Sequence, residues 1–174
     1  MYQLSKLQGK KRTIKGEAPS ARVFLSNSEE TIIGMIAINV QLIISVYSLQ
    51  ETQINELLLF MDKELSAYKK LHFYIITKES FEEIASFQKK LSKAIVLQDT
   101  LNDFGKKFGV LLDDSELTTN LAYSFCIIDK EGIIEYVEYP LEISKNLSLE
   151  LVQKTIQAVN FKPKGHIHEN WMGS

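Results

Sequence analysis

The sequence predicts an α/β fold in which a mixed central β-sheet is flanked by helices. Short apolar, β-branched runs alternate with segments whose apolar residues recur at helical spacing, and a pair of strands around a glycine-containing turn follows them. The length of 174 residues, 45% of them hydrophobic, fits one globular domain with an ordinary core. We therefore expect a single domain over residues 1–160 and a flexible C-terminal tail over residues 161–174.

The first third of the chain predicts strands followed by a helix. Residues 7–14 form a short hairpin around Gly9 and Lys10, and apolar runs at 23–25 and 32–36 indicate two further strands. The nearly continuous apolar segment at 40–47 is typical of a central strand that is covered on both faces. Apolar positions at helical spacing then predict a helix over 54–68.

The rest of the chain alternates strands and helices before it closes with a hairpin and a helix. The predicted elements are a strand at 71–77, a helix at 81–91 opened by residues 78–80, a strand at 94–97, a short helix at 101–108 ended by Gly109, strands at 123–129 and 133–139, and a helix at 147–159. This order of strands and helices is that of thioredoxin-like proteins.

The composition argues against several classes of protein. Lysine and arginine total 20 against 22 acidic residues, without a long basic run, so we expect no nucleic-acid partner. No apolar run approaches the roughly 20 residues that cross a bilayer, and the N-terminus lacks the apolar core of a signal peptide, so we expect a cytoplasmic protein without a membrane partner. The single cysteine, Cys126, excludes an internal disulfide and a two-cysteine redox cycle within this sequence. No phosphate-binding glycine motif is present, and we expect no cofactor.

Four segments carry a family resemblance. They are LQGKKRTIKG at 7–16, LIISVYSLQETQIN at 42–55, FGKKFGV at 104–110, and LAYSFCIID followed by KEG at 121–132. In this order they resemble the N-terminal hairpin, the approach to the reactive cysteine, the aromatic-and-glycine stretch and the arginine-bearing strand of the thiol peroxidase branch of the peroxiredoxins. The resemblance runs from about residue 7 to about residue 159 and implies a thioredoxin-like fold with an N-terminal β-hairpin.

The resemblance also locates the family's reactive groups, and this chain lacks them. The proline, threonine and cysteine of the family's reactive loop correspond to Ser48, Thr52 and Asn55, and its arginine corresponds to Tyr123. The helix that carries the resolving cysteine corresponds to residues 81–91, which contain no cysteine. An asparagine has no thiolate to attack a peroxide, and a tyrosine is neutral near pH 7.

These departures predict a catalytically degenerate homologue without catalytic residues. We expect it to act as a binding or scaffolding protein, with a possible protein partner, and as a homodimer because the family that it resembles dimerises. The alternative is a redox enzyme of the same family with a non-standard site, which uses a metal at His166 and His168 or a Cys126 that is exposed by a rearrangement. Trp171 in the tail suits a contact with a partner subunit.

Two interpretations of the emptied site stay open. Ser48, Thr52, Asn55 and Tyr123 form a remnant pocket for a small polar or anionic ligand at the start of the helix, or Asn55 caps that helix by accepting a hydrogen bond from its free amides. Cys126 lies within an apolar strand and is interpreted as a small buried hydrophobic residue.

Overall fold

A computed structural model describes residues 7–8, 11–113, 119–139 and 149–160 of the chain. The strands are β1 (Leu7–Gln8), β2 (Ser20–Phe24), β3 (Glu30–Gly34), β4 (Val40–Ser45), β5 (Leu71–Thr77), β6 (Ile95–Gln98), β7 (Leu111–Asp113), β8 (Thr119–Leu121), β9 (Ser124–Ile128) and β10 (Ile134–Glu138). The helices are α1 (Thr52–Leu65), α2 (Phe81–Gln88), α3 (Asp103–Lys107) and α4 (Leu149–Asn160). The predicted tail residues His166, His168 and Trp171 lie outside the described residues.

Seven strands form a mixed sheet in the order β10-β9-β4-β5-β6-β2-β3. The central strands β4, β5 and β6 are parallel, whereas β9 runs antiparallel to β4 and β2 runs antiparallel to β6. Every residue of β4 is buried, which explains why its sequence is nearly continuously apolar. The predicted α/β class with a mixed central sheet is confirmed.

The two faces of this sheet carry separate hydrophobic clusters. Helices α1, α2 and α4 contribute buried side chains to one cluster, together with Tyr123 and Phe125. Helix α3 contributes Phe104 to the other, which also holds Cys126. Because successive side chains of a strand point to opposite faces, Tyr123 and Cys126 are separated by the sheet.

The N-terminal hairpin lies at other residues than predicted. The hairpin over residues 7–14 is wrong, because β1 pairs antiparallel with β7, and β8 completes this small three-stranded sheet. Lys15 and Gly16 instead exchange backbone hydrogen bonds with Ile134 at the start of β10. The N-terminal β-hairpin of the fold is formed by β2 and β3, which pair over their whole length. Strands β7 and β8 were not predicted, since three residues are too few to display a period.

Candidate functional site at the start of helix α1

The candidate site is the loop that leads from the buried strand β4 into helix α1. Strand β4 ends at Ser45, and the Val46 N–H then donates a hydrogen bond of 2.9 Å to the Ile76 carbonyl oxygen. Leu49 is fully buried and fixes the middle of the loop. Glu51 has an extended backbone conformation and stands in the N-cap position of α1. Helix α1 therefore begins two residues earlier than its apolar spacing predicted.

Asn55 does not cap this helix, so that interpretation is wrong. Its backbone N–H donates to the Glu51 carbonyl oxygen at 2.8 Å, which places Asn55 inside the first turn. Its side-chain Nδ2 donates to the Leu49 carbonyl oxygen at 3.1 Å and does not accept from a free amide. The helix starts at Thr52 rather than at residue 54, so Asn55 lies within the helix. Its side chain links the helix to the preceding loop.

Tyr123 reaches the start of α1 from the neighbouring part of the sheet. Its hydroxyl donates a hydrogen bond of 2.7 Å to Oε2 of Glu51, and only 6% of the residue is exposed. The tyrosine directly precedes β9, the strand that pairs with β4. Glu51 thus accepts two hydrogen bonds. Its carboxylate accepts one from the Tyr123 hydroxyl, and its backbone carbonyl oxygen accepts one from the Asn55 N–H.

Among the described residues, Ser48 has one local hydrogen bond and Thr52 is exposed. The Ser48 hydroxyl accepts a hydrogen bond of 3.1 Å from the Gln50 N–H within its own loop. Thr52 is exposed in the first turn of α1. The hydrogen bonds join Tyr123 and Asn55 through Glu51. That the four residues form a ligand pocket stays a prediction.

Below this loop, a buried pair of serines joins the ends of β4 and β9. The Ser45 and Ser124 hydroxyl oxygens lie 2.6 Å apart, and Ser45 also donates to the Ala122 carbonyl oxygen at 2.7 Å. Both residues are buried, so these bonds satisfy polar groups that would otherwise be costly there.

A second carboxylate, Glu79, holds the loop from the opposite side. Its Oε2 accepts a hydrogen bond of 2.7 Å from the Leu49 N–H. Burial raises the pKa of Glu79 to about 7; the bond from Leu49 lowers this pKa, and the nearby Glu83 raises it further. Gln50 Nε2 in turn donates to Glu83 Oε2 at 3.1 Å. Glu79 is therefore the group at this site that titrates near neutral pH.

Glu51 and Glu79 are the residues of the site that the sequence did not reveal. Each lies in a polar stretch next to an apolar run, where glutamate ordinarily reads as solvated surface. The contact from Glu51 to Tyr123 spans 72 residues of chain, and no local pattern encodes it. The polar stretch before the helix was the only sign of these residues in the sequence, and such a stretch does not specify a distant partner.

Cys126 lies away from this loop. The residue is 3% exposed on strand β9, in the cluster on the face of the sheet opposite α1. Burial raises the pKa of its thiol to about 12, so the thiolate is scarce at neutral pH. The predicted burial of Cys126 is confirmed.

Within the part of the chain that the structure describes, His, Cys, Asp and Glu side chains form no group of three or more that could hold a metal ion. None of the helices in this part is long and apolar enough to cross a membrane.

The fold is shared with peroxiredoxins of known structure. A peroxiredoxin-like protein from Aquifex aeolicus has a TM-score of 0.80 at 24% identity, over 88% of this chain and 91% of that chain. A thiol peroxidase from Chromobacterium violaceum has a TM-score of 0.73 at 19% identity, over 87% and 90%. The reduced 2-Cys peroxiredoxin of Plasmodium vivax has a TM-score of 0.66 at 18% identity, over 85% and 96%. The chain therefore has the thioredoxin-like fold of peroxiredoxins, as the resemblance predicted.

No protein-family model matches the chain, and no curated protein matches it.

Proposed function

We propose that this chain is a catalytically degenerate, thiol peroxidase-like peroxiredoxin homologue that acts as a binding or scaffolding protein. The observation that carries the proposal is the position of its single cysteine. Cys126 is buried on the face of the sheet opposite α1, and its pKa is raised to about 12. A thiol peroxidase needs an accessible thiolate, and the helix start where the resemblance expects one carries Asn55.

The groups around Asn55 support the same conclusion. The tyrosine at the position of the family's arginine offers a neutral hydroxyl, and that hydroxyl is bonded to Glu51. A carboxylate at this place disfavours a neighbouring thiolate and raises the pKa of any cysteine introduced there. The local charge is therefore opposite to the one that peroxide reduction requires.

A rearrangement that exposes Cys126 is the thiol form of the alternative redox enzyme. It would have to remove the hydrophobic cluster that covers the thiol on its own face of the sheet, on a strand that pairs with β4 over five residues. The metal form of the alternative depends on His166 and His168, which lie outside the described residues. We propose a cytoplasmic homodimer without a nucleic-acid partner, in line with the formal net charge of −2.

Peroxide consumption tests the proposal. The protein is assayed with hydrogen peroxide and an organic hydroperoxide, with thioredoxin or dithiothreitol as the reductant, beside an active thiol peroxidase as positive control. We expect no turnover above the rate of the reductant alone. Turnover that disappears in the variant Cys126→Ser would overturn the proposal in favour of the thiol form of the alternative. Turnover that survives in that variant but disappears with a chelator would favour the metal form.

A further inference from the structure

Strand β3 (Glu30–Gly34) forms one edge of the seven-stranded sheet and pairs only with β2 among the described strands. Two backbone hydrogen bonds lie just beyond the ends of this ladder. The Leu25 N–H donates to the Glu29 carbonyl oxygen at 2.8 Å, and the Met35 N–H donates to the Pro19 carbonyl oxygen at 3.2 Å. Both pairs continue the register of the ladder, so they fix which of its pairs are hydrogen-bonded.

Hydrogen-bonded and non-hydrogen-bonded pairs alternate along an antiparallel ladder. Counting inward from the two end pairs, the backbone groups of Thr31 and Ile33 face β2. The backbone groups of Glu30, Ile32 and Gly34 therefore point away from the sheet.

The side chain of Gln41 already covers the last of these three residues. Gly34 N–H donates to Gln41 Oε1 at 2.8 Å, and Gln41 Nε2 donates back to the Gly34 carbonyl oxygen at 3.1 Å. The same Nε2 lies 3.2 Å from the Met35 carbonyl oxygen, and Gln41 is 1% exposed. In the described part of the chain no group bonds to the outward backbone groups of Glu30 and Ile32. The open edge thus consists of two donors and two acceptors.

The two outer strands of the sheet differ in how they are protected. Strand β10 has an irregularity between Ile134 and Tyr136, and the backbone of Ile134 is already bonded to Lys15 and Gly16. Strand β3 has a regular register and contains no lysine and no proline, the residues that commonly block pairing between edges. Its Ile32 is 62% exposed, and the apolar surface continues at Met35, Ile36 and Ile38, which are 48%, 71% and 78% exposed.

We propose that β3 pairs antiparallel with β3 of a second copy of this chain, about a two-fold axis at Thr31. Glu30 of each copy then lies opposite Ile32 of the other, and the four outward groups of each copy form four hydrogen bonds in total. This inference rests on the homodimer of the proposed function and names the surface that forms it.

Charge favours a second copy as the occupant of this edge. Glu30 is held by Arg22 of its own chain, with bonds of 2.7 and 2.9 Å from Nε and Nη2. The carboxylate therefore enters the pairing already neutralised, and the residue opposite it is the apolar Ile32. No like charges are placed directly opposite each other, a juxtaposition that destabilises paired strands.

Sedimentation velocity at micromolar concentrations measures the dimer Kd. Two substitutions at Ile32 separate the contribution of its backbone N–H from that of its side chain. Ile32→Pro removes an outward N–H without breaking the ladder to β2, and we expect the dimer Kd to rise about tenfold or more, since two of the four bonds are lost. Ile32→Ala keeps the N–H, so we expect a smaller rise in Kd. Equal effects of the two substitutions would refute backbone pairing.

Cross-linking tests the register and does not depend on the fold of the proline variant. In a Cys126→Ser background, Thr31→Cys places two thiols directly opposite each other in a non-hydrogen-bonded pair, and we expect rapid disulfide formation on mild oxidation. Ile32→Cys, offset by two residues from its equivalent, serves as control and should cross-link slowly. Faster cross-linking of the control would overturn the proposed axis.

The outcomes also separate this inference from the proposed function. If Ile32→Pro leaves the dimer Kd unchanged and Thr31→Cys forms no cross-link, the proposed surface is refuted, whereas the homodimer of the proposed function is not. A monomeric wild-type protein would refute both the homodimer and this pairing. The edge of β3 would then be available to pair with an extended segment of another protein. The peroxide assay is independent of either result.

Discussion

Replacing Glu79 by glutamine tests the electrostatics of the loop before α1. The folded protein raises the pKa of Glu79 from its ordinary value of 4.5 to about 7, chiefly by burial. The protonated carboxyl is therefore favoured in the folded state, and its contribution to stability is complete below about pH 4.5 and lost as the pH rises to about 7. The full difference corresponds to about 3.4 kcal/mol, and partial exposure with its solvent screening reduces this to about 1–2 kcal/mol.

Glu79→Gln imitates the protonated carboxyl at every pH, since its amide oxygen can still accept from the Leu49 N–H and its amide nitrogen can donate to Glu83. Urea unfolding at pH 5 and pH 8 measures the result. We expect similar free energies of unfolding for variant and wild type at pH 5, and a variant more stable by about 1–2 kcal/mol at pH 8. Glu82→Gln, at an exposed residue in the first turn of α2, is the matched control and should leave the pH dependence unchanged. A Glu79→Gln variant that is less stable than wild type at pH 8 would refute the reasoning, because the ionised carboxylate would then be the stabilising form.

Three further predictions concern the thiol, the emptied site and the turn after β3. Cys126 should react with a thiol reagent such as dithionitrobenzoate only in denaturant, and fast labelling of the native protein would contradict its burial. The double variant Asn55→Cys, Tyr123→Arg should reduce peroxide measurably but about a hundredfold more slowly than an active thiol peroxidase, because the introduced arginine faces the carboxylate of Glu51; full activity would show that the loop needs no further change. Gly34→Ala should lower the free energy of unfolding by about 2–4 kcal/mol, because φ is +87° and the added Cβ would lie 2.1 Å from the Pro19 carbonyl oxygen; chemical unfolding measures it, and a neutral result would contradict the geometry of the turn.

Elements with a strong local period were predictable from the sequence. The strand at 71–77 was predicted with the bounds of β5, and the nearly continuous apolar run at 40–47 identified the central strand β4. Residues 78–80 were predicted to open α2, and the helix follows them with Ser80 as its N-cap, whose hydroxyl accepts from the Glu83 N–H at 3.2 Å. Each of these signals lies within a few residues of chain, which is the range over which apolar spacing and capping act.

The partners of short strands and isolated polar residues were not predictable. The two residues of β1 find their partner more than a hundred positions away in β7, and neither segment is long enough to display alternation. The role of Asn55 was missed for a related reason: its side chain donates backwards to Leu49, a contact fixed by where the helix starts. The loop that Glu79 holds sets the start of α1. The wrong helix boundary and the wrong capping role of Asn55 therefore have one cause.

The hydrogen bonds at the start of α1 also bear on whether the emptied site was closed or reused. A catalytic or binding site keeps donors and acceptors that are completed by its ligand. Here the Tyr123 hydroxyl, the Asn55 amide and the Leu49 N–H each have an acceptor within the protein. The binding free energy of a ligand at the predicted remnant pocket would be only the difference between its own hydrogen bonds and those that it displaces. For neutral groups this difference is close to zero. These bonds favour a closed site, which agrees with the proposal that the chain acts through the outer surface of its fold, such as the open edge of β3.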